Sequence, residues 1–214
     1  MNGFKLGGLG AGDGTNTTGI FAFQRKNITI KNGIVRGFAR GIALRDDLSF
    51  ATSSGHVVKN ILADQNTVFG IEVNGFGNTV SHNTVVDTGG STLTGQAVGM
   101  VVHGSGCRVT DNAVSTTTAS GSLNGFGISL FSADYSLAQN NTVTDTVATG
   151  TGDHVAIRIE TSTGVFVRNN NLGNADNGLF FSNSTGIYKD NLAFDVTFPF
   201  FGTGTDGGGN FSAP

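Results

Sequence analysis

The sequence is poor in the residues that cross-link a chain or stiffen it. Its 214 residues include one cysteine, Cys107, two prolines and no tryptophan. A single cysteine excludes an internal disulfide and with it the small disulfide-stapled folds. No apolar run approaches the ~20 residues that a helix needs to cross a bilayer, so no membrane partner is expected.

Charge is also scarce, at 13% of residues with a net charge of −3. Nucleic-acid binding depends on concentrated basic residues, so no nucleic-acid partner is predicted. The four histidines, His56, His82, His103 and His154, share no ligand spacing, and one cysteine cannot complete a zinc site. The sequence therefore predicts no metal centre built on histidine and cysteine.

Glycine and phenylalanine are abundant, with 34 and 17 residues. A glycine followed by an apolar residue recurs at steps of 22, 29, 29, 28, 29 and 22 residues, with Ala156 standing for glycine once. The members are Gly19-Ile20, Gly41-Ile42, Gly70-Ile71, Gly99-Met100, Gly127-Ile128, Ala156-Ile157 and Gly178-Leu179. Apolar residues alternate with period two after each glycine, which favours a strand over a helix.

Asparagine marks the same repeat a second time. The members of this series are Asn60, Asn83, Asn112, Asn140, Asn170 and Asn191. A strand-only unit of this length predicts one turn of a parallel β-helix per repeat. Asparagines stacked at one corner can bond one another, so the sequence also predicts an Asn ladder.

These repeats resemble the right-handed parallel β-helix proteins, the superfamily that includes pectate lyases and polygalacturonases. The resemblance rests on the Gly-Ile-x-Leu and apolar-x-x-Asn-x-apolar strands over residues 18–194. It implies an all-β, right-handed solenoid of about seven coils and a location outside the cytoplasm, either extracellular or periplasmic.

We expect one domain over residues 1–214. Residues 1–17 are interpreted as part of a first coil whose N-terminal portion is missing, and residues 195–214 as an aromatic C-terminal cap and tail. Open solenoid ends expose unpaired strand edges, so association of identical chains through these ends is a further expectation.

Alternation along the glycine-led strands predicts which side chains face outward. Positions one and three after the glycine are apolar, so positions two and four must point away from the interior. The two glutamates of the chain both fall on this outward face. It is predicted to bind an extended polysaccharide, with substrate contacts from Asn74, Phe131, Tyr135, Arg158 and Glu160. The alternative is that its charges form ordinary exposed ion pairs, which need no ligand.

The resemblance also suggests two kinds of catalysis on this face. The candidate catalytic residues are Arg45, Asp46, Asp47, Glu72 and His103. Asp46-Asp47 resembles the acidic pair of polygalacturonases, and hydrolysis with inversion needs two carboxyls ~6.5–9.5 Å apart. Lyase chemistry instead implies calcium held by acidic residues beside Arg45. The alternative is that Asp46 and Asp47 are turn residues.

The sequence thus leaves two classes of function open. One is a carbohydrate-facing β-helix that binds a polysaccharide and cleaves it as a lyase or glycoside hydrolase. The other is a non-catalytic structural or adhesive solenoid, such as a segment of a surface protein. The clustering of carboxylates around Arg45 distinguishes them, because a dispersed set favours the second class.

Overall fold

The computed structural model describes residues 3–47 and 52–214, and the predicted first coil begins with two residues that lie outside this part. One turn of 3-10 helix covers Leu9–Ala11. The described strands are, in chain order, β1 (Lys5–Gly7), β2 (Thr18–Phe23), β3 (Thr29–Arg36), β4 (Arg40–Arg45), β5 (Val57–Asp64), β6 (Phe69–Asn74), β7 (Thr79–Ser81), β8 (Thr84–Gly89), β9 (Ala97–His103), β10 (Arg108–Thr110), β11 (Ala113–Ala119), β12 (Gly125–Phe131), β13 (Leu137–Gln139), β14 (Thr142–Ala148), β15 (His154–Glu160), β16 (Val165–Arg168), β17 (Asn171–Ser182), β18 (Gly186–Lys189), β19 (Leu192–Gly202), β20 (Thr205–Asp206) and β21 (Phe211–Ala213).

These strands pair in parallel with their equivalents one coil away, so the chain is a parallel β-helix, as predicted. The Gly-led sheet consists of β2, β4, β6, β9, β12 and β15, continued by the C-terminal halves of β17 and β19. A second sheet runs through β7, β10, β13, β16, β18 and β20. A third runs through β8, β11 and β14 into the N-terminal halves of β17 and β19, and ends at β21.

The interior follows the predicted alternation. The residues one and three positions after the glycine form a continuous apolar core and are at most 1% exposed from β4 to β17. Glycine itself is required because the third sheet presses against it. A Cβ on Gly99 would lie 2.5 Å from Cγ1 of Val114 and 2.7 Å from the carbonyl oxygen of Gly127. At Gly99, therefore, only a residue without a side chain allows the two sheets to approach this closely.

The Asn ladder is present, but its members differ in part from the predicted series. The side chains of Asn83, Asn112, Asn141, Asn170, Asn191 and Asn210 are bonded in succession, each Nδ2 lying 3.0 Å from the Oδ1 of the next. Asn140 was predicted for this ladder and is instead exposed, in the left-handed conformation with φ +56°. Asn60 is likewise left-handed, and Ile61 follows it where the later coils have the ladder asparagine. The sequence pattern was therefore one residue out of step at both places.

A second internal column consists of Thr88, Thr117 and Thr146, which stack on the third sheet. All three are at most 1% exposed, and their Oγ1 atoms have no hydrogen-bond partner. A buried hydroxyl without a partner costs about 1–3 kcal/mol by protein mutational data. The threonines therefore fill space beside the glycines rather than contribute hydrogen bonds.

Replacing Asn141 by alanine should lower the free energy of unfolding by about 3 kcal/mol or more, because it orphans several buried partners. The Asn141 Oδ1 accepts from the backbone N and from Nδ2 of Asn112, and its Nδ2 donates to the carbonyl of Val109 and to Oδ1 of Asn170. The matched control is Asn140→Gly, which keeps the left-handed backbone and should change stability by less than about 1 kcal/mol. Denaturant unfolding measures both, and equal losses would contradict the assignment of Asn141 to the ladder.

Replacing Thr117 by valine should raise the free energy of unfolding by about 1 kcal/mol, since it removes a buried hydroxyl that bonds nothing. Thr84→Val, at an exposed position of β8, is the control and should change stability by less than about 0.5 kcal/mol. Thermal unfolding of the two variants compares them directly. A lower melting temperature for Thr117→Val would show that the hydroxyl has a partner.

Candidate functional site

The outer face of the Gly-led sheet is more buried than alternation alone predicts. Glu72, Val101 and Ser129 occupy the second position after the glycine, yet each is at most 6% exposed. The cause is that the residue before the glycine also faces outward. Phe126 pairs with Val98 and Ile128 pairs with Met100, whereas the glycines between them form no ladder pair, so strict alternation is broken at the glycine. Two outward columns thus pack against each other and form a small apolar cluster separate from the interior.

A groove with a volume of about 180 Å³ lies on this face and spans β6, β9, β12 and β15. At a spacing of ~4.8 Å between coils, the four strands cover about 14 Å along the solenoid axis. Val101 and Ser129 contribute buried surface to it, and the rings of Phe69, Phe126 and Phe131 line it. Such a mixture of aromatic faces and few polar groups is typical of small-ligand sites.

Charged side chains lie at the β15 end of the groove. Arg158 Nη2 is 2.7 Å from Oε1 of Glu160, and the Arg158 guanidinium lies 4.6 Å from the centre of the Phe126 ring. Both charged side chains are partly exposed. The pair therefore offers donors and acceptors beside an aromatic surface, in an orientation fixed by the ring below.

At the other end, Glu72 is held between two arginines. Its Oε1 is 3.0 Å from Nε of Arg45, and its Oε2 is 3.5 Å from Nε of Arg40. Arg40 also lies over the Phe69 ring, 5.2 Å from its centre. Sequence reasoning missed Arg40, because it precedes Gly41 and strict alternation does not place that position outward. An arginine before the glycine, next to an outward glutamate on the following coil, was the available signal.

Burial raises the pKa of Glu72 above its usual value, although the charges of Arg45 and Arg40 oppose the shift. Burial and the nearby charge of Arg45 lower the pKa of His103 from 6.5 to about 4. His103 is thus a neutral imidazole at neutral pH, and its ring centre lies 5.3 Å from that of Phe131. The His103 imidazole therefore adds an uncharged polar group to the middle of this face.

Asn74 lies in register between Arg45 and His103 at the ends of their strands. It is 4% exposed, and its Oδ1 has no hydrogen-bond partner. The structure thus brings Arg45, Glu72, Asn74 and His103 together on adjoining coils. His103 joins this group to the groove that contains Phe131, Arg158 and Glu160.

The two aspartates predicted to be catalytic directly follow β4, and both side chains have partners within the protein. Asp46 is 7% exposed; its Oδ2 accepts from the backbone N–H groups of Thr52 and Ser53, at 2.8 Å and 2.6 Å, and its Oδ1 accepts from that of Asp47. Asp47 follows the strand and accepts a hydrogen bond from Nε2 of Gln24 at 3.1 Å. The Asp46 carboxylate is therefore engaged by three backbone N–H groups, and we do not include it in the site.

Tyr135 also lies outside the groove. Its ring is 75% exposed and packs beside Gly164, where an added Cβ would be 2.9 Å from a ring carbon. This position is around the corner from Phe131, toward the second sheet. Tyr135, which was predicted as a substrate contact, therefore does not line the groove that contains Phe131.

Three polar segments precede strands of the Gly-led sheet and are joined from coil to coil. Residues 90–96, 120–124 and 149–153 connect the third sheet to the Gly-led sheet. Ser120 N donates to the carbonyl of Gly95 at 2.8 Å, and Thr151 N donates to that of Gly121 at 3.0 Å. Gln96, at the end of the first segment, lines the groove. The segments therefore form one bonded wall.

The carboxylates are dispersed along this face. Glu72 and Glu160 lie on β6 and β15, three coils apart, which corresponds to about 14 Å. That exceeds the ~5–9.5 Å range of glycosidase carboxyl pairs. Among residues 3–47 and 52–214, no three histidine, cysteine, aspartate or glutamate side chains are grouped so as to hold a metal ion. Of the calcium ligands predicted beside Arg45, Asp46 is engaged by the backbone N–H groups of Thr52 and Ser53.

No family model, curated protein or solved structure matches this chain significantly. In the part of the chain that the structure describes, no helix is long and apolar enough to cross a membrane.

Titration of His103 tests the geometry of this face. Because its folded pKa is about 4, below the ordinary 6.5, neutral imidazole favours the folded state. The contribution of the neutral His103 imidazole to the free energy of unfolding is complete above pH 6.5 and is lost as the pH falls toward 4. NMR of the imidazole should give a midpoint near 4, and His103→Gln should flatten the decline in stability over this range. A midpoint near 6.5 would contradict the buried position.

Proposed function

We propose that this β-helix binds an extended polysaccharide along the outer face of its Gly-led sheet. The observation that carries the proposal is the groove itself. It combines aromatic rings with the Arg158–Glu160 pair, whose orientation is fixed over Phe126. Sugars offer an apolar face to a ring and hydroxyls to charged acceptors and donors, so this combination suits them. Its volume of about 180 Å³ is below the ~300–1,000 Å³ of drug-sized sites, so it fits a short segment of a chain.

Binding without cleavage is the form of this function that the geometry favours. Among the residues that the structure describes, Glu72 is the one carboxylate paired with Arg45, and Asp46 is engaged by backbone N–H groups. Such a dispersed set is expected of an adhesive or structural solenoid. We accordingly infer an extracellular or periplasmic protein related in fold and ligand class to the pectate lyase and polygalacturonase superfamily.

Lyase activity is the second candidate, because one observation favours it. Arg45 is held by Glu72 through Nε, its side chain is 45% exposed, and it lies close enough to His103 to lower that residue's pKa. Elimination requires a base at the acidic carbon and a positive charge near the uronate carboxylate. Arg45 supplies the positive charge, and the neutral imidazole of His103 takes the proton.

Phe131→Ala should weaken polysaccharide binding about tenfold, since it removes an aromatic contact worth about 1.4 kcal/mol. Phe166→Ala is the matched control, because Phe166 is also a partly buried outward phenylalanine but lies on the second sheet. Calorimetric titration with soluble polyuronates and neutral glucans measures both variants. Equal losses, or no binding to the unaltered protein, would overturn the proposal.

The same panel separates binding from cleavage. New reducing ends and the absorbance of unsaturated uronates are followed with and without calcium. If the protein binds but forms no product, the adhesive function stands. Unsaturated product that disappears in Arg45→Ala would instead establish the lyase. Arg36→Ala is the control and should retain the activity, because Arg36 pairs with Asp64 away from the groove.

A further inference from the structure

The outer face of the second sheet carries cations in an arrangement that differs from the other two sheets. The N-terminal halves of β3 and β5 extend this sheet to seven consecutive strands, from β3 to β18. The middle residue of each, such as Val58 or Val109, points into the core, so the residues on either side of it point outward. Among the described residues at these outward positions no carboxylate occurs, but five cations do: Lys31, Lys59, Arg108, Arg168 and Lys189.

Two pairs of these cations lie in direct register, Lys31 with Lys59 and Arg168 with Lys189. Paired strands are ~4.8 Å apart, and like charges in direct register destabilise a sheet. The Gly-led sheet avoids this arrangement, since Arg45 lies beside Glu72 at 3.0 Å. The second sheet therefore retains a repulsion that an anion bound across its strands would relieve.

Most of these cations also lack an acidic partner. Arginines of the other two sheets are paired with carboxylates, as Arg36 is with Asp64 at 2.9 Å. On the second sheet, Lys189 has only Asp190, at 3.9 Å, and both side chains are about half exposed. Within the described residues, no carboxylate lies within 4.0 Å of the charged groups of the other three whose contacts are complete there: Lys59, Arg108 and Arg168. The positive charge of this face is thus largely uncompensated.

Arg168 is nevertheless held in place by uncharged neighbours. Its Nε donates to Oε1 of Gln139 at 2.9 Å, and its guanidinium lies 5.4 Å from the centre of the Phe166 ring. In the described part of the chain, its Nη groups donate to no protein acceptor. An oriented guanidinium whose Nη groups remain available matches the planar oxygens of a carboxylate or the oxygens of a sulfate ester.

The spacing and the residues between the cations identify the kind of polyanion. Five cations over about 29 Å amount to one per ~6 Å, whereas duplex DNA carries one charge per ~1.7 Å. Sites for single-stranded nucleic acid use aromatic platforms, and the described outward positions from β3 to β13 contain no aromatic residue. They contain hydroxyl and amide groups that can bond sugar hydroxyls, at Thr79, Thr110 and Gln139. The face therefore fits an acidic glycan better than a nucleic acid.

We propose that the outer face of the second sheet binds a linear acidic glycan along the solenoid axis, with its sulfate or carboxylate groups against Lys59, Arg108 and Arg168. This surface lies on a different sheet from the groove. The proposal does not rest on the function proposed for the groove, because it depends on charge and not on the rings that line the groove.

Fluorescence anisotropy of labelled dextran sulfate, titrated with the full chain, tests the proposal. Affinity should fall at least about tenfold between about 50 mM and 200 mM NaCl, because binding displaces counterions from the polymer. Neutral dextran should not compete. Competition by unlabelled dextran sulfate and by a polyuronate ranks sulfate against carboxylate, and competition by either supports the site.

The double variant Lys59→Gln/Arg168→Gln should lose at least about tenfold in affinity for dextran sulfate, since it removes two charge-assisted contacts. Its melting temperature at low salt should be equal or higher, because a repulsive pair is relieved at each position. The matched control is Lys5→Gln/Arg36→Gln, which also removes one lysine and one arginine but on the side of the third sheet. It should bind dextran sulfate within about twofold of the unaltered protein.

Equal losses in the two double variants, or affinity that does not depend on salt, would overturn the site. Binding of an oligonucleotide as tight as that of dextran sulfate would also overturn it, and would assign the face to nucleic acid. Titration of Lys59→Gln/Arg168→Gln with a neutral glucan should match that of the unaltered protein. The two proposals can therefore fail separately, since a neutral glucan reports on the groove and dextran sulfate on the second sheet.

Discussion

The stacking of each residue on its own equivalent, one coil away, is the constraint on which the structure depends. At a separation of ~4.8 Å, a buried polar side chain must be satisfied largely by a copy of itself. Asparagine meets this condition because its amide carries both donor and acceptor, and the ladder from Asn83 to Asn210 uses both. A column of like charges would repel at the same spacing. The low charge of the chain is a consequence of this geometry.

The same constraint shapes the candidate site. Charges occur on the Gly-led sheet only where a neighbouring position carries the opposite sign, as at Arg45 with Glu72 and at Arg158 with Glu160. Aromatic rings occupy several of the positions between them and support the guanidinium groups of Arg40 and Arg158. The result is a face on which aromatic rings and paired charges of opposite sign lie side by side.

The sequence was sufficient for the fold, because the period of the glycines and the alternation after them are direct consequences of stacking. It was insufficient where one residue changes the register. Asn140 and Asn141 are adjacent and identical, so spacing alone could not tell the ladder member from the left-handed corner residue. Arg40 was missed because the backbone at Gly41 departs from strict alternation. The role of Asp46 depended on the backbone of Thr52 and Ser53, which is a tertiary contact that no pattern announces.

The bonded wall of loops constrains how the loop lengths of such a solenoid can evolve. Gly95, Gly150 and Gly152 each pass so close to the loop of a neighbouring coil that no Cβ fits there. A residue inserted into one loop would therefore break contacts in the loops on either side. Length variants at this corner should arise in blocks of adjacent coils rather than singly. The three consecutive steps that contain these loops, from Gly70 to Ala156, have 29, 28 and 29 residues, which is the form that such block-wise inheritance would take.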